Sequence, residues 1–409
     1  MRITAQPRPE RIDPDSVDLG DPAFYAEGDP HPVWTAMRRE APVHRRTLPD
    51  GRSFLSVTRH ADVSAVLRDH TRFTSRRGTM LSILGERDPA GDKMMAACDP
   101  PVHGALREPM ARVLSFARLR PRQEAIRGLV RTLLQPLADG GPLDLAAAAT
   151  GFPMAFTGAL MGLPEQDWEY LARLTTMAVA PEDAAFHQVG GGAKLVRAHH
   201  ELFAYFAEQA RSRGPRDDLV GFLRSMPVGD RTMRREELVY NCYSLLLGAN
   251  VTTPHAMAAT VLAFTEHPEQ YRRIGDGAAT VEDAVEEGLR WSSPANHFMR
   301  YSVVDTELSG VPVRAGEAVV AWLGSANRDE RVFADPFAFD VSRSPNRHLA
   351  FGFGPHYCIG APLARIALRV FFQEVVQLVE EFELTGPVEH LRSNFVAGIK
   401  SLPVTAKLR

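Results

Sequence analysis

The sequence predicts a mainly α-helical protein with small β-sheets, folded as a single large domain over residues 1–409. Three observations point there. Apolar residues recur at helical spacing from about Ala61 onward. Only two short regions alternate as strands do. No linker, internal repeat or low-complexity run divides the chain. Its 44% hydrophobic and 24% charged residues are those of an ordinary globular protein. A chain this long can bury roughly 75% of its unfolded surface, so a large core needs no staples.

Taken in order, the first strand pair is expected at 43–48 and 53–58, around the turn Pro49-Asp50-Gly51. Residues 74–99 read as a long loop, with Gly78, Gly85, Pro89 and Gly91. A helix follows Asp99-Pro100-Pro101 and carries His103 and Arg107 four apart, on one face. Residues 145–164 hold no charge and match a bilayer span in length. They are rich in alanine and lack flanking Lys/Arg clusters, so two buried helix pieces meeting near Gly151 and Pro153 are expected instead. Gly190-Gly191-Gly192 reads as a flexible break beside the pocket. A long helix is expected over 235–266. Another opens at Thr280, with Asp283 completing a cap-like start, and ends near Trp291. Residues 307–323 hold two turn signals, Ser309-Gly310 and Ala315-Gly316, between β-branched residues. The last helix begins just after Cys358 and runs to about Glu381.

Charge and cysteine usage narrow the function. With 47 Lys+Arg against 50 Asp+Glu, the net charge of −3 lacks the basic excess of a nucleic-acid binder. Three scattered cysteines, Cys98, Cys242 and Cys358, make no disulfide framework and suit a reducing cytoplasm. The polar, proline-bearing N-terminus has no apolar stretch behind a basic start. A cytoplasmic protein, free of membrane, is the expectation.

The strongest local signal is Phe351-Gly352-Phe353-Gly354-Pro355-His356-Tyr357-Cys358-Ile359-Gly360. Glycines allow positive φ and let backbone come close to a flat ligand. A cysteine before a helix N-terminus meets free N–H groups and the positive end of the dipole, which favour a thiolate. Such a thiolate suits the axial position of haem iron. Two other readings stay open on spacing alone. One is a buried structural cysteine. The other is a thiol nucleophile with His356 as its base, as in a hydrolase.

This stretch resembles the haem-binding loop of bacterial cytochrome P-450 monooxygenases, and the resemblance covers nearly the whole chain in the family's order. Glu287-x-x-Arg290 resembles its paired helix motif. Arg343, after the FADPFAFD stretch, resembles the third member of that charged triad. Ala326-Asn327-Arg328-Asp329, Asp99-Pro100-Pro101-x-His103 with Arg107, and the closing stretch 398–404 also match. The resemblance implies the cytochrome P-450 fold and haem b with Cys358 as its axial ligand. It further implies that His103, Arg107, Arg300 and His356 meet the propionates. Glu287, Arg290 and Arg343 would then be a structural ion network.

The centre of the long helix, Gly248-Ala249-Asn250-Val251-Thr252-Thr253, resembles the family's segment over the haem. There Gly248 and Ala249 give room, and Thr252 steers protons during oxygen activation. The family's usual acid is missing, because Val251 stands in its place. Pro254 lacks an N–H, so the Asn250 carbonyl loses its helical partner. That carbonyl and the Asn250 side chain are expected to extend the proton route, unless Pro254 only bends a packed helix. Residues 294–300 should be extended, with Asn296, Phe298 and Arg300 on one face. Met80, Leu81, Ile83, Leu84, Met94 and Met95 offer further apolar lining, although Met94 and Met95 suit a core equally.

No flavin or iron–sulfur motif is present in the sequence. By the resemblance, a ferredoxin and its reductase supply electrons, docking on the cysteine side where Arg112, Arg365 and Arg369 offer positive charge. The expected activity is hydroxylation or epoxidation of a mid-sized natural-product intermediate, free or tethered to a carrier protein. Two alternatives remain: a same-family enzyme coupling rings by radicals, and a haem-binding sensor without turnover.

Overall fold

A computed structural model describes residues 12–48, 50–186, 193–212, 214 and 216–409. The glycine run 190–192, expected to act as a break, lies outside the described residues.

The fold is helical on one side and carries small sheets on the other. The main sheet has five strands in the order Val43–Thr47, Ser53–Val57, Ala318–Trp322, His297–Ser302 and Phe73–Thr74. The first two form the expected hairpin, with Val43 opposite Val57 and Thr47 opposite Ser53. Ala318–Trp322 then joins Ser53–Val57 in parallel. Being buried at every residue, Ala318–Trp322 is apolar throughout rather than alternating. The helical side centres on Thr253–Glu266, whose residues pack against Leu145–Met161 and Val281–Ser292. Leu134, Phe152, Phe264, Trp291 and Phe371 belong to this core.

Three expectations about elements need correction. Residues 235–266 do not form one helix. Arg235–Asn250 ends, Thr252 leaves helical geometry at φ −123° and ψ −44°, and Thr253–Glu266 starts anew. Pro254 explains the break, because it can neither donate to Asn250 nor tolerate that carbonyl's usual position. Conversely, Leu145–Met161 is one helix that runs through Pro153 and closes on Gly162 in the left-handed region. Pro153 removes a single hydrogen bond there, and packing along both flanks holds the helix together. The final helix, Ala361–Leu378, stops before Glu381 because Val379–Leu384 pairs with Pro403–Leu408 as a strand.

One helix ties the sheet side to the helical side. Thr280 caps Val281–Ser292, its hydroxyl accepting from the Asp283 amide at 3.0 Å. Glu287 and Arg290, one turn apart, are both fully buried and form a two-point ion pair at 2.7 and 2.8 Å. Arg290 also donates to the carbonyls of Asn327, Pro336 and Ala338. Glu287 accepts from the Asp340 amide, Asn346 and Arg343. Next to it, Glu286 binds Arg365 through both oxygens and His348 through one. Burial alone would raise the Glu286 carboxyl, but hydrogen bonds and charge from Arg365 and His348 hold it at about 2.

Two outcomes follow from this helix. Glu287→Gln leaves Arg290 buried without a counter-charge and should cost about 3–5 kcal/mol, read by urea unfolding. The Glu286 pKa lies below the usual carboxylate value in the folded protein, so its contribution is complete above about pH 4.3. It is lost as pH falls toward about 2. The Tm gap between wild type and Glu286→Gln should therefore narrow as the solution is acidified.

Candidate functional site

The cysteine loop starts where the Leu349 amide donates to the Asn327 side chain at 2.6 Å. Gly352 and Gly354 both sit at φ +72°. A Cβ on Gly354 would come within 2.6 Å of the Arg68 Cα and 3.0 Å of the Leu67 carbonyl oxygen. The loop is thus pressed against the helix His60–Arg68, and glycine is required by both contact and conformation. The Cys358 amide donates to the Phe351 carbonyl at 2.8 Å, and Ala361–Leu378 follows at once.

Cys98 and Cys242 are packed in the core, whereas Cys358 opens into a cavity of about 310 Å³. Enclosure deep in the protein pushes the Cys358 thiol up. The amides of Gly360 and Ala361 and the charges of Arg107 and Arg365 pull it down without overcoming enclosure. The helix start favours the thiolate, as expected, and enclosure outweighs it. A bound metal would tip the balance, since coordination displaces the proton.

Arg107, Arg300 and His356 line the cavity, and His103 lies behind His356. Arg300 is buried, and among the described residues its one direct hydrogen bond goes to the neighbouring Met299 carbonyl. Burial lowers its pKa to about 10, with Asp99 pulling the other way. Arg107 donates to the Tyr357 carbonyl, next to the cysteine. His356 meets the Ser75 hydroxyl at 3.0 Å. Its ring lies 4.3 Å from that of His103. His103 is buried, and its Nε2 has no partner among the described residues. Burial, then Arg107, lower its pKa to about 4, so the ring is neutral. Asp99 anchors the near end of the loop by accepting from the Thr74 hydroxyl and the Ser75 amide. A buried guanidinium without a carboxylate in contact, beside an orphaned imidazole nitrogen, is costly unless an anion joins it. Haem, with its two propionates, fits this donor set.

The opposite wall comes from the broken helix. Gly248, Ala249 and Thr252 line the cavity as expected. A Cβ on Gly248 would meet nothing within 4 Å, so its absence is space given to the cavity. The Thr252 hydroxyl donates to the Gly248 carbonyl at 3.3 Å. Asn250, expected in a proton route, is not on this wall. Its amide folds back to the Leu246 carbonyl at 2.8 Å, and the residue is buried.

Two expected lining residues are corrected in the same way. Asn296 precedes the strand His297–Ser302, so alternation does not extend back to it. Its carbonyl accepts from Leu323 and Gly324, and its side chain lies over Gly324 and donates to the Asn394 carbonyl. Ala295 stands in the wall instead, with Phe298 and Arg300. Leu84 follows the short turn Leu81–Ile83 into the core beneath Trp34 and Trp322. Of the loop residues, Met80, Met94 and Met95 reach the cavity, while Leu81 and Ile83 join that core. Phe395 also lines the cavity, from a loop near the C-terminus that carried no local signal. Arg365, expected as a docking charge, is engaged inward by Glu286, Tyr357 and the face of Phe351. Arg369 is partly buried with its Nε unpartnered, and Arg112 is exposed.

Comparison with known proteins agrees with this geometry. The Cytochrome P450 family model matches residues 279–395, from the start of the helix bearing Glu287 to Phe395. Nocardicin C N-oxygenase of Nocardia uniformis subsp. tsuyamanensis is 36% identical, covering 97% of this chain and 99% of that one. The crystal structure of P450 OxyD, involved in the biosynthesis of vancomycin-type antibiotics, superposes with a TM-score of 0.86 at 34% identity, covering 96% and 100% of the two chains. P450BioI, solved in complex with an acyl carrier protein bearing hexadec-9Z-enoic acid, superposes with a TM-score of 0.83 at 26% identity, covering 94% and 100%. A cysteine open to a cavity with a cationic end, set in a fold shared over almost its full length with these proteins, places the chain in the cytochrome P450 family of haem-thiolate oxidoreductases.

Proposed function

We propose that this protein is a monooxygenase that oxidises a mid-sized natural-product intermediate, with Cys358 as the axial ligand of its haem. The observation that carries the reading is the shared cavity. One space is bounded by the Cys358 sulfur, the buried Arg300 guanidinium and the Thr252 hydroxyl. Arg107, Arg300, His103 and His356 would hold the propionates, the arginines by charge-assisted hydrogen bonds. Haem bound here supplies dioxygen activation, aided by electron density from the sulfur.

The chain's own residues do the rest. Gly248 and Ala249 leave room beside the cavity, and Phe298, Leu245 and Ala295 offer apolar contact that excludes water. Thr252 Oγ1 holds a proton against the Gly248 carbonyl, and can pass it on when a stronger acceptor arrives. Val251 contributes no acid, so Thr252 is the hydroxyl on which proton supply along this helix turns. The relatives named for nocardicin and vancomycin-type biosynthesis support a natural-product substrate. The carrier-protein complex of P450BioI supports one presented on a carrier. Electrons would come from a ferredoxin and its reductase, docking on the cysteine side, where Arg112 is the exposed cation of the three considered.

Val251 also favours a second reading, oxidative coupling by radicals, which relies less on a proton route through the helix. Thr252→Ala separates the two. Under the main reading it keeps NAD(P)H consumption, lowers product per electron pair by about an order of magnitude and releases hydrogen peroxide. Unchanged coupling of electrons to product would favour the radical reading.

Two further outcomes test the site itself. The reduced carbon monoxide complex should show the strongly red-shifted band of thiolate ligation. Cys358→Ala should abolish that band, and Cys98→Ala and Cys242→Ala should keep it. Substrate titrations should find Phe298→Ala weakened about tenfold, for loss of the ring's apolar contact with substrate, and Asn296→Ala changed by less than about twofold.

A further inference from the structure

A second cavity, of about 730 Å³, adjoins the first, between Asp21, Ser82, Val179 and Arg392. Met80 and Phe395 belong to the walls of both cavities. They therefore stand on the boundary between the two cavities, a vestibule and the chamber beside Cys358. Neither stands on a regular element. Met80 precedes the turn Leu81–Ile83, and Phe395 lies in the stretch between Glu389–His390 and Ile399–Ser401.

Both segments are fastened to one short stretch of chain. On one side the Met299 amide donates to the Thr79 carbonyl at 2.8 Å. On the other the Asn296 amide donates to the Phe395 carbonyl at 2.8 Å, and Ala295 bridges Val396. Between them sits His297, fully buried, whose side chain reaches both ways. Its Nε2 accepts from the Leu81 amide at 3.2 Å, and its Nδ1 faces the Asn394 carbonyl at 3.2 Å. An amide can only donate and a carbonyl can only accept. One neutral tautomer, with the proton on Nδ1, satisfies both. Burial lowers the ring's pKa to about 4, which keeps it neutral. The ring is wedged between Trp322 at 5.0 Å and Phe395 at 5.5 Å.

We propose that His297 is a positioning residue that sets the width of the threshold between vestibule and chamber, holding Met80 through Leu81 and Phe395 through Asn394. It selects among ligands by shape without touching them. The inference rests on the proposed function only in taking the inner chamber as the place where haem and substrate meet. His297 itself is not among the residues of the chamber wall, where Ala295, Phe298 and Arg300 stand.

The test uses haem-loaded protein and two substitutions. His297→Phe keeps a flat ring and removes both hydrogen bonds. His297→Gln can still accept from Leu81 and donate to Asn394. Hydrogen exchange at the Leu81 amide should quicken about tenfold in His297→Phe and stay near wild type in His297→Gln. Spectral titration with two azoles reads the threshold. The association rate of bulky clotrimazole should change about tenfold in His297→Phe, while that of imidazole stays within about twofold, and His297→Gln should restore both. If His297→Phe does not fold, Met80→Ala and Phe395→Ala should each speed clotrimazole and leave imidazole alone. Unaltered Leu81 exchange, equal changes for the two azoles, or failure of His297→Gln to rescue would overturn the proposal. Loss of the thiolate band in wild type would instead overturn the proposed function, and the Leu81 exchange would still decide the clamp.

Discussion

The buried pair Glu287–Arg290 is the constraint on which the rest depends. Neither side chain reaches water, so each must have its full set of partners inside. Those partners are backbone groups of Asn327, Pro336, Ala338 and Asp340, all in the irregular chain between the sheet and the cysteine. A segment without regular structure gets its path from these bonds. Asn327 then passes the constraint forward, because its side chain accepts from the Leu349 amide at the root of the cysteine loop. The position of Cys358 is in this sense set from a helix more than sixty residues earlier.

Electrostatics at the other end of the cavity works by deficit. Arg300 and His103 are buried more completely than their bonding within the protein justifies, and the local excess is of donors. Inside a medium of low polarity, such an excess both demands an anion and orients it. The same scarcity explains why the neighbouring histidines are neutral. Beside two guanidiniums, a further positive charge would be costly, and each imidazole is held below its ordinary pKa by burial first and by those arginines next.

Much of this was legible in the sequence, for definite reasons. The Thr280 cap, the 51-turn hairpin, the glycine loop and the Glu287–Arg290 spacing are local, and local chemistry fixes them. Gly248 and Ala249 line the cavity from the last turn of the first helix, and Thr252 joins them from the break that follows. What failed was non-local. Asn296 was assigned a face by extending strand alternation one residue past the strand's start, where the chain turns to receive Leu323 and Gly324. Leu84 looked like lining because its loop does, yet a short turn sends it beneath Trp34. Arg365 read as surface charge because its partner Glu286 is distant in sequence. Phe395 and His297 depend on a loop and a strand meeting across the fold, which no spacing encodes.

The interruption at Thr252 has an electrical side. Two helices of sixteen and fourteen residues meet end to end there, so the carbonyl end of one dipole abuts the amide end of the next. Thr252 occupies the capping position of the second helix, yet its hydroxyl does not cap that helix. It turns back to the first, onto Gly248. Pro254, second in that helix, brings no amide of its own, and the Asn250 carbonyl three residues before Thr253 loses its helical partner. The seam therefore sets the unlike ends of two dipoles against each other beside the wall that Gly248, Ala249 and Thr252 form.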